Sequence, residues 1–167
     1  FWRNKGRVVH EKFVTEPTGG PGKGTFAVRN RYERADGELV SHETCRITFF
    51  VRPEGYLLAW DATFSANRAF YFGDQEELGL GFRVTTSITV DNGGTMRDSQ
   101  GRENEKGIWG KTAAWCDYSG VVDDRRIGMT LMCHPKNFRP SWMHARDYGF
   151  IAANPFGRKA FTGGKPS

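Results

Sequence analysis

Along most of this chain apolar and polar residues alternate one by one, and that period restricts the fold more than any other property. Successive side chains of a strand point to opposite faces, so a period of two describes a strand with one face buried. In Thr25 to Arg34, Phe26, Val28 and Tyr32 fall on one side and Arg29, Arg31 and Glu33 on the other. The turn Ala35-Asp36-Gly37-Glu38 follows at once and marks a hairpin. Glu43 to Val51 sets Cys45, Ile47, Phe49 and Val51 against Thr44, Arg46 and Thr48. After Pro53-Glu54-Gly55, the residues Tyr56, Leu58, Trp60, Ala62 and Phe64 share a face. Phe82, Val84, Ile88 and Val90 alternate with Arg83, Thr85, Ser87 and Thr89 before the turn Asp91-Asn92-Gly93-Gly94. Strands also fit Gly6 to Thr15, Ile108 to Asp117 and Arg126 to Cys133, while polar Arg97 to Lys106 reads as a long exposed loop. Nowhere do apolar residues recur at three and four behind a capping residue, so a helical domain is not expected. The pattern predicts an all-β chain, an antiparallel β-sandwich or the open part of a larger one.

Length and composition are compatible with that. The 167 residues suit a single domain, 1–167, and 38% hydrophobic with 14% aromatic residues is enough to fill a core with rings. The chain starts at Phe1 rather than Met, so the expectation is the C-terminal part of a larger domain whose upstream portion, with any signal peptide, precedes it. Lys and Arg outnumber Asp and Glu by 24 to 19, but the two signs interleave, as in Arg31-Tyr32-Glu33-Arg34 and Asp123-Asp124-Arg125-Arg126. A nucleic-acid surface clusters its cations, so no nucleic-acid partner is expected. The longest apolar run, Ile47 to Val51, falls far below the roughly 20 residues of a membrane helix. Cys45, Cys116 and Cys133 form no C-x-x-C pair and read as buried free thiols. Thr18 to Thr25 is glycine-rich, yet Pro17 stands where a phosphate-binding loop needs its first glycine, and Gly24 follows Lys23 where Ser or Thr belongs.

Three stretches carry chemistry. Phe72 to Arg83 places Glu77 just ahead of a strand with an outward Arg83, so that Glu77 is a weak candidate for a base or a sugar-hydroxyl acceptor, against a plain polar turn. Alternation through Trp109 to Gly120 puts Trp109, Lys111, Trp115 and Asp117 on one side. Rings beside a carboxylate and an ammonium make a cleft wall for a polyhydroxylated ring, with Tyr118 next in line for stacking; Trp115 serves equally well as a core residue. The strongest signal is His134 to Gly157, which reads as neither helix nor strand because Pro135, Pro140 and Pro155 interrupt it. An ordered irregular segment is often a functional one. His134 and His144 are candidates for proton transfer, assisted by Asp147 or Glu77; Arg146, Asn137, Arg139 and Asn154 are candidates to grip hydroxyls, and Trp142 to stack. The bland alternatives are a turn histidine at His134 and a local Arg146-Asp147 ion pair. His134 and His144 could instead coordinate a metal, but they match no compact ligand spacing and show no third ligand, so no cofactor is expected and a metal is the lesser alternative.

The ordered series Phe72-Gly-Asp, Gly81-Phe-Arg-Val84, Trp109-Gly-Lys111, Trp115-Cys-Asp-Tyr-Ser-Gly120, His134-Pro-Lys-Asn-Phe-Arg139-Pro140, Trp142-Met-His144, Arg146-Asp-Tyr-Gly149 and Asn154-Pro-Phe-Gly157 resembles the bacterial family labelled "methane oxygenase PmoA". The resemblance covers most of the chain, with Phe1-Trp2 and Gly6-Arg-Val-Val continuing from an upstream His-rich segment. It implies an exported β-rich protein of carbohydrate-degrading bacteria and a supersandwich akin to sugar mutarotases. On that resemblance the expectation is a carbohydrate-directed protein, an enzyme using His and carboxylate acid-base chemistry or a non-catalytic binding or structural module. The family label itself implies a third reading, an oxygenase using copper or iron.

Overall fold

A computed structural model describes residues 6–165; the Phe1-Trp2 pair lies outside the described residues. Contacts divide the chain into two compact units, Phe1–Tyr71 and Phe72–Ser167. The fold is all-β and antiparallel, with two short helices among the described residues.

The first unit is a four-stranded meander of β1 (Gly6–Gly20), β2 (Lys23–Arg34), β3 (Leu39–Arg52) and β4 (Gly55–Ser65), in that order across the sheet. Its register joins the three apolar stripes legible in the sequence. Val28 pairs with Cys45 and Cys45 with Ala62; Phe26 pairs with Ile47 and Ile47 with Trp60; Phe49 pairs with Leu58 and Val51 with Tyr56. One face is therefore apolar along most of its length, broken where Asn30 pairs with Glu43 and donates to its carboxylate at 3.0 Å. The other carries ion pairs such as Arg29 to Glu11 at 3.0 Å and Arg7 to Glu33 at 2.6 Å. The glycine-rich stretch is the end of the β1–β2 hairpin, where Gly22 turns at φ 73° and its carbonyl accepts from Val51 N at 2.9 Å.

The second unit contains β5 (Leu80–Arg83), two 3-10 turns (Thr86–Ile88 and Val90–Asn92), β6 (Thr95–Asp98), α1 (Asn104–Ile108), β7 (Lys111–Thr112), β8 (Trp115–Val122), β9 (Arg125–Met132), β10 (Trp142–Arg146), β11 (Phe150–Asn154) and α2 (Arg158–Thr162). They form a four-stranded sheet, β5-β11-β10-β7, and a three-stranded sheet, β6-β8-β9. Met143, Ala145, Ile151 and Ala153 from the first share one buried cluster with Met96, Cys116, Tyr118 and Leu131 from the second. This is the sandwich-like core, and Ile88 and Ile108 from the connecting turn and helix join it.

Several expectations need correction. The segment from His134 to Gly157 is irregular only at its ends: His134 to Ser141 is turn and loop, but β10 and β11 pair in full, Trp142 with Asn154 through Arg146 with Phe150. Its prolines flank the strands instead of interrupting them, because Pro140 stops just before β10 and Pro155 follows β11. The strand expected over Phe82 to Val90 ends at Arg83, since Val84 N donates to Gly149 O at 2.9 Å and the Thr-Ser run then folds into 3-10 turns. Ile108 to Asp117 is not one strand: it spans the end of α1, the short β7 and the start of β8. Arg97 to Lys106 is not a plain exposed loop. Asp98 is 1% exposed, and its carboxylate accepts from Gln100 N at 2.9 Å, Arg102 N at 3.1 Å and Arg102 Nε at 2.7 Å, organising the turn that leads into α1.

Candidate functional site

On β10 the core takes Met143 and Ala145, so alternation sends Trp142, His144 and Arg146 to the opposite face of the four-stranded sheet. On β11 the core takes Ile151 and Ala153, leaving Phe150, Ala152 and Asn154 on that same outer face. His144 stands opposite Ala152, which in turn stands opposite Gly81 on β5. Small neighbours leave room for an imidazole lying over the sheet.

This face is roofed by the segment 72–79 and by α2. Asn154 holds the first cover: it is fully buried, its Nδ2 donates to Gln75 O at 2.5 Å and Glu76 O at 3.2 Å, and its Oδ1 accepts from Phe156 N at 2.8 Å. Asp74 joins the two covers, its carboxylate accepting from Lys159 N at 3.2 Å and Ala160 N at 3.0 Å at the start of α2. Phe161 from α2 then contacts Trp109 edge-on, centroids 5.2 Å apart, and lies 6.2 Å from the His144 ring.

Between these parts opens a cleft of about 560 Å³ lined by Gln75, Glu76, Glu77, Trp109 and Ala160. Beneath it His144 is 2% exposed, with its Nδ1 3.7 Å from Glu76 Oε2, and neither ring nitrogen has a hydrogen-bond partner in the protein. Trp109 Nε1 and Arg146 Nε are buried without a hydrogen bond as well, although Arg146 Nε pairs electrostatically with Glu105 Oε1 at 3.4 Å. Buried polar groups are bonded in the large majority of cases, so the unbonded nitrogens of His144 and Trp109, two rings that both contact Phe161, mark this region. Burial pushes the His144 pKa below its ordinary value; Glu76 opposes the shift and Arg146 adds to it. The ring is therefore neutral near pH 7, with one nitrogen able to accept a proton and the carboxylate of Glu76 placed to stabilise the cation that results.

The other sequence candidates fall in different places. Glu77 lines the cleft, but the carboxylate beside His144 belongs to its neighbour Glu76, which sequence reasoning passed over within the same Gln-Glu-Glu run. Arg83 is not paired with that loop: its guanidinium lies over the rings of Tyr148 at 5.2 Å and Phe150 at 5.5 Å. Asp147 is committed elsewhere, exchanging bonds with Glu105, Glu105 N to Asp147 Oδ1 at 2.9 Å and Asp147 N to Glu105 Oε2 at 3.0 Å. The expected Arg146-Asp147 pair is replaced by Arg146 to Glu105. Trp142 shares the face of His144, half-buried; Lys111 is exposed on β7, where it pairs with Met143 and so falls on the opposite face from His144. His134 is exposed, and its Nδ1 accepts from Lys136 N at 3.2 Å, the geometry of a turn histidine. Asn137 is exposed in that turn, and Arg139 covers Phe138 at 5.0 Å.

Tyr118 offers no stacking surface. It is fully buried in the core, where its hydroxyl donates to Asp147 O at 2.7 Å and accepts from Val90 N at 2.9 Å. Because Cys116 and Tyr118 point into the core, Trp115 and Asp117 point out from the three-stranded sheet, where Asp117 Oδ1 accepts from Thr130 Oγ1 at 2.8 Å. The core thus separates Trp115 and Asp117 from His144, and the single wall of Trp109, Lys111, Trp115 and Asp117 does not form. Among the described residues no three His, Cys, Asp or Glu side chains converge as a copper or iron site requires, so the donor set does not fit such a metal.

The model of a family described as "Family of unknown function (DUF6807)" matches residues 1–166. No curated protein and no solved structure matches the chain.

Proposed function

We propose, from the premise that this chain belongs to the DUF6807 family, that the cleft over His144 binds a carbohydrate or similar polyhydroxylated ligand and that His144 exchanges a proton with it. The resemblance to the "methane oxygenase PmoA" family, with its carbohydrate setting and exported location, is part of the same proposal. One observation carries it: a buried imidazole with neither nitrogen hydrogen-bonded lies 3.7 Å from a carboxylate that lines an open cleft. Trp109 gives the ligand a ring to lie against, with Nε1 free to donate, and Glu76 and Glu77 supply acceptors for hydroxyl groups. His144 takes a proton at its open acceptor nitrogen, and Glu76 balances the imidazolium.

A set of mono- and disaccharides tested by thermal shift, with each hit followed by NMR for anomeric or bond-cleaving change, checks this. The expected result is turnover that His144→Ala abolishes while binding survives, and binding that Trp109→Ala weakens by about tenfold or more. Normal turnover by His144→Ala removes His144 from the chemistry. A second reading, a binding module without catalysis, is favoured by the depth of His144: a ligand in the cleft meets Glu76, Glu77 and Trp109 before the ring. It predicts binding with no chemical change in the unmodified protein.

A further inference from the structure

The two edges of the meander in the first unit are built differently. β1 breaks register with its neighbour at three places, between His10 and Lys12, Phe13 and Thr15, and Thr15 and Thr18, and it carries Arg7, Glu11, Lys12, Glu16 and Pro17. Bulges, charges and a proline are the devices that keep an edge strand from pairing with another chain. β4 has no bulge and no proline, and only one charge. Its eleven residues pair with β3 without a register shift, it holds no Lys, Arg or Pro, and Asp61 is its one charged residue. Every residue from Tyr56 to Thr63 is exposed, Tyr56 at 81% and Trp60 at 48%. An unprotected apolar edge of this length is a pairing surface.

We propose that β4 pairs antiparallel with β4 of a second copy of this chain, joining two meanders into one continuous sheet. The strand is self-complementary about Trp60. In a two-fold register centred there, Trp60 meets Trp60 of the second copy, Tyr56 meets Phe64 and Leu58 meets Ala62, so the apolar face runs on unbroken. Asp61 falls opposite Ala59, which keeps the two carboxylates from facing each other. With full overlap of the eleven residues the ladder supplies about ten backbone hydrogen bonds, the number a stable interface commonly carries. A strongly charged partner strand finds only Asp61 to pair with, so the edge suits its own copy better.

Sedimentation equilibrium tests this on the full polypeptide. The expected result is a dimer at roughly 0.1 mM that Trp60→Lys weakens by about tenfold or more, because two ammonium groups then meet on the two-fold axis. Trp60→Cys reports the register: oxidation links the two copies through residue 60, while Leu57→Cys, three residues off the axis, links far more slowly. The exposure of these positions keeps each variant folded, and circular dichroism verifies it. A monomer at that concentration, a dimer indifferent to Trp60→Lys, or equal linkage at the two cysteine positions overturns the proposal.

Discussion

At the scale of single residues, His144 sets a pH signature. In the fold, burial holds the imidazole neutral below its ordinary value of 6.5, whereas the unfolded chain takes up a proton near that value. The unfolded state thus binds more protons as pH falls, and linkage makes the fold less stable in the same direction. The contribution is complete above about 6.5 and is lost as pH drops toward and through the folded value. Melting curves between pH 7.5 and pH 5 should show a steeper decline for the unmodified protein than for His144→Gln, and parallel curves would remove His144 as the source. Tyr118 gives the opposite kind of result. Tyr118→Phe loses the bond to Asp147 O, but Val90 N keeps Asp147 O at 3.1 Å, so the expected cost is about 1–2 kcal/mol by denaturant titration. Ligand affinity should not change, since that hydroxyl faces the core. Residue identity announced both groups as polar and potentially reactive; whether each is open or satisfied depends on partners that are distant in sequence, such as Glu76 for His144 and Val90 for Tyr118.

At the scale of elements, legibility followed length and regularity. β2, β3 and β4 run for more than ten residues each with an apolar stripe along most of one face, and their stripes were readable because nothing else produces so sustained a period of two. The five-residue strands β10 and β11 were hidden by the prolines at their borders, although a strand that short needs only a gap between prolines to form. α1 has too few turns to repeat an apolar position, and the alternation past Val84 is carried by a 3-10 turn that still delivers Ile88 to the core. The cover over His144 depends on a backbone requirement that glycine content signalled without locating. Gly79 adopts φ 91°, and a Cβ there would stand 2.0 Å from Ala153 O. Gly79→Ala should therefore cost more than about 2 kcal/mol and lift the segment that carries Glu76, weakening any cleft ligand. Gly93 is the control: it has φ 88° with nothing within 4 Å, so Gly93→Ala should cost only about 1 kcal/mol and leave binding intact. Equal effects of the two substitutions would mean that Gly79 acts through conformation alone and not through the crowding against β11.

At the scale of the whole molecule, adjacency is the property the sequence conceals. Strand order β5-β11-β10-β7 brings the segment before β5 beside residues some seventy positions later, and it leaves Trp115 and His144 on opposite faces of the same unit. No local pattern encodes that order, because the same alternation is satisfied whichever strand lies next door. The distribution of buried side chains predicts how unevenly the molecule resists opening. Among the described residues, the second unit holds a cluster of eleven buried residues, whereas the buried hydrophobic residues of the first are Ala27, Cys45 and Ile47. Local opening is easiest where few apolar contacts must be broken, so amides of Met143, Ala145 and Ile151 should exchange with solvent most slowly and those on the free edge of β4 among the fastest. Self-pairing adds a concentration dependence. In dilute protein the outward amides of β4 exchange rapidly, and raising the concentration should protect them while leaving the second unit's amides unchanged. Protection that is already complete in dilute protein would show that β4 is covered within its own chain, and protection absent at high concentration would leave the edge unpaired.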